Sequence, residues 1–176
     1  MTRLPNLQLS EHFWRHEVLY APVIHRDHNG KVFRLADVNQ QYIKQYDENA
    51  FIDLLQRMDV VRFHMNRHFI SDIDPTKSIG LKVTSGWRCK QWEFLKGRNG
   101  TSFHTIAAVD VQPTNCSPEM AVEILAWMDE FYSSMEPGHG WFGGFAVAKP
   151  RYSATGELQS IGFAHFDLGR RRRWKY

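Results

Sequence analysis

Gly162-Phe163-Ala164-His165-Phe166-Asp167-Leu168 is the stretch whose reading sets the fold class. Its alternation reads as a strand, and on a strand residues two apart share a face. Phe163, His165 and Asp167 then point one way, Ala164 and Phe166 the other. An imidazole beside a carboxylate serves as a metal ligand with a proton acceptor, or as a ligand with the group that orients it. A surface pair at a strand end is the plain alternative. Gly143 to Lys149 reads as a partner strand, joined through the turn Ser153-Ala154-Thr155-Gly156. Ala107-Ala108-Val109-Asp110-Val111 reads as a buried strand carrying one carboxylate. Gly80-Leu81-Lys82-Val83-Thr84 alternates like a strand and leads into Ser85-Gly86-Trp87-Arg88.

Helical periodicity dominates the rest. Phe51, Leu54, Leu55, Met58, Val61, Met65 and Phe69 recur at helical spacing, the strongest amphipathic signal in the chain. Asp74-Pro75 closes that region. Ser117 as cap, Pro118 at the first helical position and Glu119 in the first turn open another helix. Its apolar face is Met120, Ile124, Leu125, Met128 and Phe131, and Pro137-Gly138-His139-Gly140 breaks it. Ser10 is read as the cap of a short helix carrying Phe13, Trp14, Glu17 and Val18. Tyr20 to about Asp47 reads as irregular, with a turn at Asp27-His28-Asn29-Gly30. The expected fold is α+β, one domain with N-terminal helices packed on a small antiparallel sheet that carries a metal site. Residues 1–79 form the helical lead-in and residues 80–176 the motif-bearing core.

Composition narrows the function classes. The chain has 176 residues, enough for a substantial core, and no repeat or linker that marks a domain boundary. Twenty-two Lys and Arg against 19 Asp and Glu give a formal charge of +3, partly concentrated in Arg170 to Arg173. That mild excess fits an anionic partner and gives no support to nucleic-acid binding. Cys89 and Cys116 do not make a disulfide framework, and fit a reducing compartment. The first residues show no secretory signal, and no apolar run is long enough to span a membrane. The expectation is a protein that is cytoplasmic as synthesised and does not insert into membranes.

The chemistry-bearing residues fall in two stretches. In Ser102-Phe103-His104-Thr105-Ile106-Ala107-Ala108-Val109-Asp110, a histidine precedes a carboxylate buried in an apolar strand. Burying that charge unpaired costs several kcal/mol, roughly, so Asp110 needs a metal ion or an arginine beside it. Two histidines and one carboxylate are a common open ligand set for catalytic zinc, with the fourth position left for water. His64 and His68 are four apart on the strongest helix, but the segment lacks the glutamate of a zinc-protease helix and reads as a solvated flank. His12, His16, His25 and His28 carry no role. His139, between glycines, is a weak candidate for a cleft wall.

Taken in order, Val83-Thr84-Ser85-Gly86-Trp87-Arg88, Ser102 to Asp110, and Gly162 to Asp167 with Arg172 and Trp174 resemble the zinc D-alanyl-D-alanine carboxypeptidases and murein endopeptidases. That group shares the Hedgehog-like fold and includes phage endolysin peptidases. The resemblance covers about residues 80–176. It implies His104, Asp110 and His165 as zinc ligands and Arg88 as a group that binds or polarises substrate. It also implies Asp167 as the base or as the group orienting a ligand. Ser102 and Trp87 are assigned to substrate contact, and Trp141, Phe142 and Phe145 are further cleft candidates. This chain departs from the family in three places. Gly162 stands where many members have a glutamate, five residues rather than six separate His104 from Asp110, and the motif glycine is missing.

The activity implied is zinc-dependent hydrolysis of peptide bonds in the peptidoglycan stem or cross-bridge, by a carboxypeptidase or lysin-like endopeptidase acting at the bacterial cell wall. The basic end would attract that anionic wall. A phage or prophage lysis protein is one expectation. A non-catalytic relative that has lost zinc, serving as a virion or wall-binding protein, is the alternative.

Overall fold

Local sequence signals set most of the elements in the computed structural model, which describes residues 3–69, 78–134, 143–170, 172–174 and 176. Asp74-Pro75, the helix break at 137–140 with His139, and the aromatics Trp141 and Phe142 lie outside the described residues.

Helix α1 (Arg15–Leu19) starts after Trp14 rather than at Ser10. The capping acceptor is the Glu17 carboxylate, which takes the Trp14 backbone N–H at 2.7 Å. The span read as irregular contains a hairpin, β1 (Ile24–Arg26) and β2 (Val32–Arg34), followed by α2 (Leu35–Gln41). Asp27 Oδ1 closes the hairpin turn by accepting from Asn29 N and Lys31 N, each at 2.9 Å. The lead-in is therefore not purely helical. These strands are too short and exposed for alternation to reveal them. Helix α3 (Glu48–Phe69) buries all seven residues of the predicted apolar stripe.

The main sheet is built from β3 (Gly80–Ser85), β4 (Ala108–Thr114), β5 (Gly144–Ala148), β8 (Phe163–Asp167) and β9 (Arg172–Arg173), in the order β3-β4-β8-β5-β9. Every pairing is antiparallel except β5 with β9, which is parallel, so the sheet is mixed at one edge. A hairpin of β6 (Arg151–Tyr152) and β7 (Leu158–Ser160) carries the predicted turn between β5 and β8. Helix α4 (Lys90–Leu95) follows β3. Helix α5 (Pro118–Ser134) follows β4, with Ser117 Oγ accepting from Met120 N as predicted. The α+β class holds.

One face of the sheet supplies Val109, Val111, Phe145, Ala164 and Phe166 to a core shared with α3 and α5. Tyr132 of α5 stacks on Phe145. His64 and His68 lie on the flank of α3 as read, but they are not simply solvated. Their rings lie against Phe131 and Trp127 of α5, His68 stacked on Trp127 at 5.4 Å. The opposite face of the sheet carries Asp110, His165 and Asp167.

The N-terminal elements hold the Ser85–Arg88 turn in place. Val18 O accepts from Trp87 N at 3.0 Å. A Cβ at Gly86 would collide with the Val18 carbonyl, so glycine is required for this close approach. Asn39, fully buried on α2, donates to Leu19 O and Trp87 O at 2.8 Å and accepts from Cys89 N at 3.0 Å. One amide thus ties α1, α2 and the turn together. Asn39→Ala is expected to cost roughly 2–4 kcal/mol, because it leaves three buried backbone groups without partners. Urea unfolding measures this, and a loss under about 1 kcal/mol would contradict the role.

Candidate metal centre

Register brings the two halves of the site together. Asp110 on β4 pairs directly with His165 on β8, so their side chains meet on one face. His104 arrives from a single 3₁₀ turn, Phe103–Thr105, just before β4. The short loop between His104 and Asp110 still delivers both side chains to one point. His104, Asp110 and His165 are buried and offer ligand atoms within 4.8 Å of one another.

The hydrogen bonds select which nitrogen of each imidazole faces Asp110. His104 Nδ1–H donates to Gly86 O at 2.7 Å, leaving Nε2 aimed at Asp110 Oδ1, 3.3 Å away. His165 is reversed: Nε2–H donates to Asp167 Oδ2 at 3.1 Å, and Nδ1 lies 2.8 Å from Asp110 Oδ1. Ligands on tetrahedral zinc, at about 2.0–2.1 Å from the ion, stand about 3.3 Å apart. The His104–Asp110 edge already has that length. The His165–Asp110 edge opens by about half an ångström when a proton on Nδ1 is exchanged for a metal. The donor set and the orienting partners behind each imidazole fit a metal ion.

Asp110 Oδ2 faces the other way and accepts from Arg88 Nη2 at 3.1 Å. Arg88 is itself held by Ser85 Oγ, at 3.0 Å from Nε and 2.8 Å from Nη2, and its backbone N–H donates to His104 O. Sequence alone left a metal or an arginine as the partner of Asp110. The structure supplies the arginine at one oxygen and two imidazoles at the other.

Asp167 is fully buried and saturated. Oδ1 accepts from Gly169 N at 2.7 Å, Gly144 N at 3.0 Å and Arg172 Nη1 at 3.3 Å. Oδ2 accepts from Arg172 Nη2 at 2.5 Å and from His165. Gly144 must be glycine, since a Cβ there would collide with this carboxylate. With both oxygens occupied, Asp167 is an orienting group for His165.

Burial sets the electrostatics and the partners then redirect it. Burial alone would raise the Asp110 carboxyl, but the charge and hydrogen bonds of His104 and His165 outweigh it and hold Asp110 far below the ordinary carboxylate range. Asp167 is likewise raised by burial, but lowered on balance by His165, the Gly169 N–H and Arg172. Burial lowers the His104 imidazole below its ordinary range, against the pull of Asp110. For His165 burial is overcome by hydrogen bonds to Asp110 and Asp167, and its imidazole is raised.

The three groups open onto a cleft of about 640 Å³. Ser102, half-buried, lies in its wall. Trp87 does not. It is fully buried against Tyr46, 5.5 Å between rings, and its assignment to substrate contact is corrected to a core role. Phe145 is likewise fully buried, in the core, as aromatics near a site more often are. Apolar residues flanking a motif turn read equally well as cleft wall or core.

The basic tail is part of the site. Arg172 grips Asp167, its guanidinium lies 3.8 Å above the Phe103 ring and 4.8 Å from Trp174, and Trp174 packs edge-on to His165. Arg173 pairs with Asp129. Sequence reading placed Arg172 in the motif order and the basic end but gave it no partner in the site. The signal was available: Asp167 shares the inward face of its strand with His165 and needs a counter-charge, as Asp110 does. Arg98 in the cleft wall was also missed. No protein-family model matches the chain, and no match to it is found among curated proteins or solved structures.

The acid limb of stability follows from Asp167. Its folded value is depressed, so its contribution is complete above the unfolded value of about 4 and is lost as pH falls through the folded one. In metal-free protein, Asp167→Asn is expected to destabilise strongly at pH 7 and progressively less toward pH 2. Urea midpoints across that range measure it; a pH-independent gap would contradict the assignment.

Proposed function

We propose that the chain is a zinc-dependent peptidase that hydrolyses peptide bonds in the peptidoglycan stem or cross-bridge. The observation carrying this reading is the convergence of His104 Nε2, Asp110 Oδ1 and His165 Nδ1 on an open cleft. Two imidazoles and one carboxylate are a donor set of catalytic zinc, whereas structural sites are closed by four protein ligands. The order of the Ser-Gly-Trp-Arg, Ser-x-His and His-x-Asp motifs, with its resemblance to wall peptidases, supplies the substrate class.

Zinc bound here would polarise a peptide carbonyl and bring the pKa of a bound water to about 7. The chain does the positioning. Gly86 O and Asp167 fix the two imidazoles so that one nitrogen of each faces the carboxylate. Arg88 balances Asp110 and places a cation beside the reacting carbonyl, where it stabilises developing negative charge. Asp167 holds the His165 proton at Nε2 and takes no part in proton transfer to the leaving amine, since both its oxygens are engaged.

A second reading has its own observation. Arg88 and His165 by themselves supply counter-charge to Asp110, which is what a non-catalytic relative acting as a phage virion or wall-binding protein would need. Among the described residues no helix is long and apolar enough to cross a membrane.

Metal analysis separates the readings. Purified zinc-replete protein is expected to carry one equivalent of zinc, lost in His104→Ala and His165→Ala, and to release soluble peptides from peptidoglycan. A chelator should stop that release and added zinc restore it. Protein that takes up no zinc would sink the peptidase reading. Binding must also displace the proton between His165 and Asp110. Zinc affinity is therefore expected to fall as pH drops and His165 gains its proton, with proton release visible by calorimetry in buffers of different ionisation enthalpy.

A further inference from the structure

Among the described residues, the walls of the cleft hold four arginines, Arg88, Arg98, Arg172 and Arg173, and one acidic side chain, Asp110. Three of these arginines are committed. Arg88 is spent on Ser85, Asp110 and, at 3.7 Å, Glu93 Oε1, Arg172 on Asp167, and Arg173 on Asp129. Arg98 differs. Its Nη1 donates to Glu93 Oε2 at 3.1 Å, and the rest of its guanidinium has no hydrogen-bond partner among the described residues. Its side chain is 49% exposed, while Glu93 behind it is fully buried. The backbone adds a second tether, Arg98 N donating to Glu93 O at 2.9 Å.

A fully buried glutamate is an expensive anchor. Here it holds an arginine by one edge and leaves the planar fork presented to the cleft. That fork matches a carboxylate, with two parallel N–H donors. A neutral backbone carbonyl would use only part of it.

We propose that Arg98 is the binding residue for a carboxylate of the peptide ligand, so that the cleft selects anionic over neutral peptides. The choice of ligand rests on the peptidase reading above. Two carboxylates of a stem peptide carry this chemistry: the C-terminal carboxylate of D-Ala-D-Ala, and the α-carboxylate of the γ-linked D-Glu.

The test uses the peptide L-Ala-γ-D-Glu-L-Lys-D-Ala-D-Ala and two capped forms, one amidated at the C-terminus and one carrying D-isoglutamine. Binding to zinc-loaded and metal-free protein is measured by calorimetry, and cleavage by mass spectrometry. In the wild type, one cap is expected to weaken binding about 10–100-fold, the range of a lost charge-assisted pair. Arg98→Gln should weaken the uncapped peptide equally and make that cap ineffective, and the effective cap identifies the carboxylate. Thermal melts check that Arg98→Gln folds, and Arg98→Gln with Glu93→Gln removes the buried charge if it does not. If neither cap affects the wild type, or the cap effect survives in the folded variant, the proposal is overturned. Failure to cleave any of the three peptides, with the Arg98-dependent binding intact, would count against the peptidase reading alone.

Discussion

A single buried carboxylate organises this molecule. Asp110 is 6% exposed, and its side chain faces Arg88 through one oxygen and two imidazoles through the other. Left alone in an apolar strand, that charge would be untenable. Each neighbour is in turn held by something behind it. Ser85 holds Arg88, Gly86 O holds His104, and Asp167 holds His165. Asp167 is clamped by Arg172 and two backbone N–H groups. The chain of support runs from the site out to α1 and α2, through the amide of Asn39 and the carbonyl of Val18. The N-terminal elements therefore serve the site although none of their residues lines its cleft.

Much of this was legible from sequence. Period-two alternation placed His165 and Asp167 on one face, and the apolar run from Ala107 placed Asp110 in a buried strand, both as observed. The stripe on α3 and the cap on α5 were equally plain, because long periodic segments and Ser-Pro-Glu starts carry their own physics. What sequence could not give was register. That Asp110 lies opposite His165, and not one residue along, depends on strand pairing across 55 positions.

The misses have specific causes. Trp87 sits beside Arg88 in a motif, yet it is turned into the core because the turn packs on α1. Ser10 has the right chemistry for a cap, but the helix starts after Trp14 and Glu17 supplies the acceptor. The arginines near the end read as a basic patch drawn to an anionic wall. Their role depends on the parallel pairing of β9 with β5, which brings Arg172 over Phe103 and onto Asp167. A parallel edge strand of two residues leaves almost no periodic trace.

The strand order gives the Arg88–Asp110 pair a role in time as well as in space. Strand β8 lies between β4 and β5 although it follows both in the chain. Strands β3 and β4 are joined through a much shorter connection than the one His165 must cross, and shorter loops close sooner. While β8 is still undocked, the charge on β4 has two neighbours from the β3–β4 segment, Arg88 and His104, and of these the arginine is the permanent cation. In that order of assembly the arginine would serve as a temporary counter-ion, letting the carboxylate enter the interior before the histidine that completes its surroundings arrives.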